Sequence, residues 1–452
     1  MTLSEHDALM DDWEWKRLQD LTRSLRVEGK FITFLGYEWS AERALGGHHN
    51  VLFRTPDKKR VPLQTNPELA TLYSGLAAQN APEDVLIIPH AHKAGDWTRS
   101  NSSMERLAEI NSLHGSFEWF GNLYMKNGFD VGFVGASDDH QGRPGLASAL
   151  AKPFLTQPGG IAGLIAGEKT TDAIFSALRE RSTYATTGER IILDATLNGR
   201  PMGAQVEYSE RRQIVCKAMG TAPIEGIDLI KNGAVIFSRH FLETPLRPRS
   251  SVLVGFESSS EVFPPARDNP RPYRIWTGTL EVKGARLVSM SAPGFDNRYS
   301  EWARIRPTQP SLVEFYVETR GRKNTMLVEL DGAGPNTVFE IHLEPATEHG
   351  FSAPMVRQPA QIPGADLRLK LSDLRENRLE HAFQVGRHTD YLSLQVVDPA
   401  GPIDREFEYT DLDSPARGDY YYVRVRQIDG ARAWSSPFRV GSRPPSPTSA
   451  NP

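Results

Sequence analysis

Seven of the twelve histidines fall in the first 140 residues: His6, His48, His49, His90, His92, His114 and His140. Their placement says more than their number. Glu38 follows the apolar run 31–35, and His48 and His49 precede the run 51–53. His90 and His92 follow 85–88, Glu109 and His114 flank the end of 107–110, and Asp138 and His140 follow 131–134 as an Asp-x-His pair. Imidazole and carboxylate ligands together suit Zn, Mn or Fe. One histidine at a strand end is more often a hydrogen-bonded structural residue than a ligand. The recurrence of ligand-type side chains at one strand end after another is what speaks for a metal site. Neighbours along a strand point to opposite faces, so at most one of His48 and His49 is expected to bind. His90 and His92 share a face only if the strand continues past Pro89; a chain that leaves the strand there favours His90 alone.

Positioning such a set requires strands whose ends converge. Residues 11–26 carry Trp15, Leu18, Leu21 and Leu25 at helical spacing, with Gly29 as a stop. A second helix opens at Asn66-Pro67, and residues 170–181 form an amphipathic third with Ile174, Phe175 and Leu178 inward. Uniformly apolar strands alternating with helices predict a parallel α/β sheet or barrel, with the site at the C-terminal ends of its strands. From about Ile191 the texture changes to alternating strands separated by turns such as Asn198-Gly199 and Asn232-Gly233, a strong hairpin signal. The expected organisation is therefore an α/β domain over 1–190, a β-rich region of one or two sandwich-like units over 191–440, and a Pro/Ser-rich disordered tail over 441–452. The segment 267–272 reads as a loop and a candidate boundary.

The bulk properties narrow the partners. The 452 residues are 39% hydrophobic and 24% charged, with a net charge of -4, which predicts a soluble chain of two or three domains. Nucleic acid is not an expected partner, since the basic runs Lys58-Lys59-Arg60 and Arg211-Arg212 are short. No apolar run approaches the length of a membrane span. Cys216 is the single cysteine, so no intramolecular disulfide can form. The first fifteen residues are acidic and polar, unlike a signal peptide.

Several motifs occur in a fixed order: Gly36-Tyr37-Glu38-Trp39, Gly47-His48-His49-Asn50, Pro89-His90, Glu109-Ile110 with His114-Gly115, Ser137-Asp138-Asp139-His140 with Gly142-Arg143-Pro144-Gly145, and Tyr184-Ala185-Thr186-Thr187-Gly188. This set resembles the PHP (polymerase and histidinol phosphatase) superfamily, in particular a mainly bacterial branch in which such a domain precedes a β-rich segment. The stretches 420–425 (YYYVRV) and 433–437 (AWSSP) are similar to that branch too. The resemblance implies a distorted β/α barrel that holds two or three divalent metal ions and hydrolyses phosphoesters. It places Glu38 at a ligating acidic position, His49 (or His48) and His90 at histidine positions, and Asp138 and His140 at the closing Asp-x-His. Ser4-Glu5-His6 resembles the superfamily's Thr-Asp-His element, which adds His6, and His114 and Glu109 fit the branch pattern. The superfamily's opening His-x-His motif has no counterpart here. The expectation is a barrel incomplete at its N-terminus, with Met1 an internal methionine of a longer protein. Localisation reads as cytoplasmic from the chain as written, and as secreted or periplasmic if a leader precedes it.

The expected function is a metal-dependent phosphoesterase acting on a small-molecule substrate through an activated water. Asp138 or a nearby histidine would orient the water or protonate the leaving group, and Arg143 would hold a phosphate oxygen through its planar fork. The alternatives are hydrolysis of an amide or lactone, and a non-catalytic binding protein with a degenerate site. His240, His342, His349, His381 and His388 are scattered through the β-rich region, which reads as structural or substrate-orienting.

Overall fold

A computed structural model describes residues 1–142, 145, 157–242, 244–261, 271–348, 360–375 and 378–441. Arg143, the greater part of the 267–272 loop and the tail beyond residue 441 lie outside these residues.

The first half opens with β1 (Thr2–Leu3), α1 (Asp12–Leu25), β2 (Phe34–Ser40) and β3 (His48–Phe53). It continues with α2 (Leu69–Ala77), β4 (Val85–Pro89), β5 (Leu107–Ser112), β6 (Gly115–Ser116) and α3 (Glu118–Lys126). β7 (Gly132–Gly135), β8 (Ile161–Leu164), α4 (Thr171–Arg179) and β9 (Thr183–Thr186) complete it. α1 begins at a reciprocal cap: Glu14 N–H donates to Asp11 Oδ1 and Asp11 N–H to Glu14 Oε2, both at 2.8 Å. Trp15 and Thr22 face inward from α1, whereas Leu25 is exposed.

The expected β/α barrel is not present. β1 runs parallel to β2, but β2, β3 and β4 are antiparallel neighbours, and β5 and β7 pair parallel in a separate sheet with β6. Among the described residues a single parallel bridge, Ile87 to Glu105, links the two sheets, and no barrel closes. The physical reason is local. Only residues 41–47 join β2 to β3, too few for a crossover, which needs about a dozen residues or more. Between β4 and β5 the chain makes a short 3-10 turn, Trp97–Arg99, instead of an α-helix. Strands make up 46% of the described residues and helix 14%, less helix than the regular alternation of a barrel requires.

The all-apolar strands that suggested a parallel sheet are buried for another reason: each face has its own cover. On one face Leu35, Tyr37, Trp39, Val51, Phe53, Val85 and Ile87 pack with Trp15 of α1 and Leu69, Leu72 and Leu76 of α2. On the other, Phe34, Leu52, Leu86, Ile88, Leu107 and Val134 pack with Phe175 and Leu178 of α4.

The second half forms two β-sandwiches. In the first, a sheet built on Ile192–Leu197, Arg212–Met219 and Asp404–Asp411 packs on a sheet containing Ile224–Lys231 and Tyr420–Gln427. Its hairpins turn at Asn198-Gly199 and Asn232-Gly233, all four with positive φ (48°, 75°, 55° and 80°), as a tight two-residue turn demands. The second sandwich, from Arg249–Glu257 to His388–Val397, is inserted between strands of the first. The chain's end then returns to the first half: Tyr420–Gln427 pairs with Arg432–Ser435, which pairs with β9. Among the described residues no helix is long and apolar enough to cross a membrane.

Buried ion pairs tie these parts together. Glu225 meets Lys323 of the second sandwich at 3.0 Å and Arg426 at 2.8 Å, Arg426 meets Asp228 at 3.0 Å, and Arg424 links Asp228 to Glu118 of α3, each at 2.9 Å. Burial pushes the Glu225 carboxyl up, but Lys323 and Arg426 outweigh it and hold the group down to about 2, against an ordinary 4.5. Its stabilising contribution is thus complete above pH 4.5 and is lost as pH falls from there to about 2. Glu225→Gln, which strips a buried lysine and arginine of their shared partner, is expected to cost about 3–5 kcal/mol at neutral pH. It should also flatten the decline of stability over that acid window. Urea unfolding across pH checks both; an unchanged acid limb would show that the cluster is energetically idle.

Candidate metal centre

Strand alternation builds the site. On β2, Glu38 shares a face with Phe34; on β3, His48 shares that face with Leu52; and at the end of β4, His90 follows Ile88 and Leu86 on it. Glu109 of β5 lies on the face of Leu107 in the same way. The apolar cluster under α4 is therefore the floor, and the polar group beside it is the site. Glu38 lies inside β2, not after it, because the strand starts at Phe34 and runs through Ser40.

The groups are close. Glu38 Oε1 lies 2.6 Å from His48 Nδ1 and 3.8 Å from His90 Nδ1, and Glu38 Oε2 lies 3.9 Å from His6 Nε2. His90 Nε2 is 3.6 Å from Glu109 Oε2. Asp138 stands 3.3 Å from His114 Nε2, 3.7 Å from His92 Nδ1 and 4.0 Å from His140 Nδ1, and accepts a hydrogen bond from Ser112 Oγ at 3.3 Å. Its φ of 50° is a left-handed backbone conformation that aspartate tolerates better than most residues. The rings of His92 and His114 stack, with centroids 3.8 Å apart.

Four overlapping groups could each hold a metal ion: His6, Glu38 and His48; His48, His90 and His92; His90, His92, Glu109 and Asp138; and His114, Asp138 and His140. Within each, the donor atoms lie within 4.8 Å of one another. The chemistry of the donors fits a divalent cation. Both ring nitrogens of His90, Nδ1 of His92 and Oε2 of Glu109 are buried and make no hydrogen bond within the protein. Leaving such atoms unsatisfied costs about 1–3 kcal/mol each, a cost that coordination removes. Burial lowers the pKa of His48, takes His90 down to about 4, and holds His92 and His114 well below the usual range. Neutral imidazole is the form that ligates. Burial also raises Glu109 and, with the charge of Glu38, lifts Asp138 to about 7. Glu38 goes the other way: burial would raise it, but His90 and His48 hold it well below the carboxylate range.

Among the described residues the site is exposed on one side. The side chains of His6 and His140 are 35% and 37% exposed, while the other seven are at most 7% exposed, and the two outer rings lie 6.2 Å apart.

Of the residues singled out from the sequence, His6, Glu38, His90, His114, Asp138 and His140 come together here. His49 does not. It faces the opposite side of β3, where Nε2 lies 3.3 Å from Glu105 Oε1 and Nδ1 3.1 Å from Gly47 O, so His48 occupies the position considered for His49. Glu109, which the sequence placed at the end of its strand, belongs to the cluster, and so does His92, although spacing favoured His90 alone. The strand does end at Pro89, but the turn that follows brings His92 back onto His114. The alternation of Leu107 with Glu109 was the available signal for Glu109.

A model of the family described as "Protein of unknown function (DUF3604)" matches residues 2–102 and 147–196. The first stretch contains His6, Glu38, His48, His90 and His92, while Glu109, His114, Asp138 and His140 fall between the two. The chain is similar to an uncharacterized protein of Chlamydia pneumoniae, 25% identical over 260 residues, which is 49% of this chain and 40% of the relative. It is likewise similar to an uncharacterized protein of Chlamydia muridarum, 25% identical over 258 residues, covering 48% and 40%. The chain thus spans about 40% of the length of these curated relatives.

The two adjacent histidines give a sharp test. His48→Ala is expected to weaken Zn²⁺ binding about 100-fold or more, beyond the usual loss for a supporting residue. His49→Ala should keep the parent affinity and instead lower stability by about 2–3 kcal/mol through the lost Glu105 contact. Calorimetric titration and thermal unfolding of both variants decide it; a reversed pattern would put His49 in the site.

Proposed function

We propose that this chain is a metal-dependent hydrolase acting on small phosphoesters, with two or three divalent cations, Zn, Mn or Fe, held by His6, Glu38, His48, His90, His92, Glu109, His114, Asp138 and His140. The observation that carries the reading is the overlap of four ligand groups, among the described residues, around buried ring nitrogens that make no hydrogen bond within the protein. The ordered motifs that resemble the PHP superfamily support the phosphoester choice; the reading does not depend on a barrel. When bound, the cations would lower the pKa of water and offset charge on a phosphoryl oxygen.

The remaining work falls to the protein's own side chains. Glu38 spans the His6, His48 and His90 side of the site and Asp138 the His92, His114 and His140 side, so the two carboxylates set where positive charge can sit. His140, on the exposed side, donates its Nδ1–H to the Asp138 carbonyl at 2.8 Å, which leaves Nε2 as the nitrogen able to ligate. Asp138, whose carboxylate offers a second oxygen, would orient the attacking water or give a proton to the departing alkoxide. His6 on the opposite rim is braced by Ser40 Oγ at 2.5 Å. Burial of the other ligands excludes bulk water and strengthens each charge interaction.

The purified chain should hold near-stoichiometric metal by elemental analysis and hydrolyse p-nitrophenyl phosphate or its bis ester. Asp138→Asn should lose metal from its side of the site and lower turnover by about 100-fold or more. A folded, reconstituted protein without metal would overturn the metal reading and leave a binding protein. A metal-loaded protein that cleaves amides or lactones but no phosphoester would overturn the substrate class.

A further inference from the structure

The hairpin that carries part of the site is held from outside its own half of the molecule. β5 and β6 deliver Glu109, Ser112 and His114, and the turn between them is seated on the second sandwich. We infer that Arg320, in the link between the strands Gln309–Thr319 and Lys323–Asp331, is a positioning residue for His114, so that the β-rich region sets the geometry of one side of the metal centre. This inference rests on the reading of that centre as a metal site.

Arg320 is buried, with 4% of its surface exposed, and no carboxylate lies at ion-pair distance among the described residues. Its guanidinium is spent on two backbone carbonyls instead: NH1 donates to His114 O at 2.9 Å and Nε to Arg271 O at 2.9 Å. The planar group lies against Phe117 and Tyr273, at 5.2 and 5.4 Å from their ring centres. Tyr273 hydroxyl donates to the same His114 carbonyl at 3.2 Å. Arg271 is itself fixed by Glu348 at 2.6 Å and by both oxygens of Asp390. Burying a charge without an ionic partner is costly, and the directions of its donors show what it does: it orders the peptide that carries the His114 ring.

Backbone contacts close the clasp. Ser116 N–H donates to Arg320 O at 3.1 Å, and Ser260 hydroxyl donates to Ser116 O. Gly115, at φ +134°, has no room for a Cβ, which would sit 2.8 Å from Arg320 O; at Gly321, φ +70°, a Cβ would lie 1.9 Å from Ser116 O. Two chains can approach this closely only where both lack side chains. His114, held by its carbonyl, then stacks on His92 and reaches Asp138 at 3.3 Å, which leaves the group with His140 dependent on the clasp and the group of His6, Glu38 and His48 independent of it.

Co²⁺ titration followed by visible absorption reads the two sides separately. Arg320→Met keeps the packing on Phe117 and Tyr273 but not the donors. It is expected to weaken one Co²⁺ by about tenfold or more, with a changed absorption band, and to leave another as in the parent. Arg320→Lys, which can still donate to the His114 carbonyl, should recover part of that loss. Tyr273→Phe removes one donor without touching a charge; it should weaken the same ion less and serves if Arg320→Met does not fold. Deuterium exchange of residues 113–117 in the metal-free proteins gives an independent reading, and Arg320→Met should accelerate it. Parent-like Co²⁺ binding in Arg320→Met and Tyr273→Phe, or an equal loss of every ion, would overturn the inference. If the parent takes up no Co²⁺, the metal reading falls by itself and exchange at 113–117 decides the clasp: faster supports it, unchanged sinks it.

Discussion

The structure depends on a closure between distant parts of the chain. Arg432–Ser435 pairs with β9, and Glu118 at the start of α3 accepts from Tyr422 hydroxyl at 2.5 Å, Trp434 Nε1 at 2.9 Å and Arg424 at 2.9 Å. A carboxylate largely withdrawn from water is tolerable only with several donors around it. Once they are in place, α3 is fixed against the last strands. The β5–β6 hairpin that precedes α3 is then held between two surfaces of the β-rich region. The first half does not support its site alone; the helix behind the hairpin is fixed by residues that follow it by some three hundred positions.

That dependence changes how the β-rich region is understood. Its histidines build no metal group among the described residues, and the side chains it brings close to the site are tyrosine, tryptophan and arginine that touch the backbone and the supporting layer. A scaffold of this kind gives precision more than chemistry: ligands must be held to a fraction of an ångström, and a hairpin packed on rigid sandwiches does so better than a free loop.

Much of the candidate ligand set was legible in the sequence because histidines and carboxylates recur at one strand end after another. Glu38, His90, Asp138 and His140 could be named from that pattern, and His6 and His114 from motif order. The fold was less legible. Runs such as VLII at the start of β4 are buried on both faces, which periodicity reads as a parallel sheet; here α1 and α2 cover one face and α4 the other, over antiparallel strands. Run composition reports burial, whereas strand direction depends on connection lengths and on partners far away in the chain.

By itself the sequence determined which side chains could ligate, the two-residue alternation that puts Glu38 with Phe34 and His48 with Leu52, and the Asn-Gly turns of the first sandwich. Those features follow from local stereochemistry, which each short segment carries within it. Only the tertiary structure decided that the face of His48 is the face of the site, that the turn after Pro89 folds His92 onto His114, and that Arg320 stands behind that histidine. A strand has two faces of equal geometry, and which of them meets the site is set by the layers that pack against it, a choice no local spacing contains.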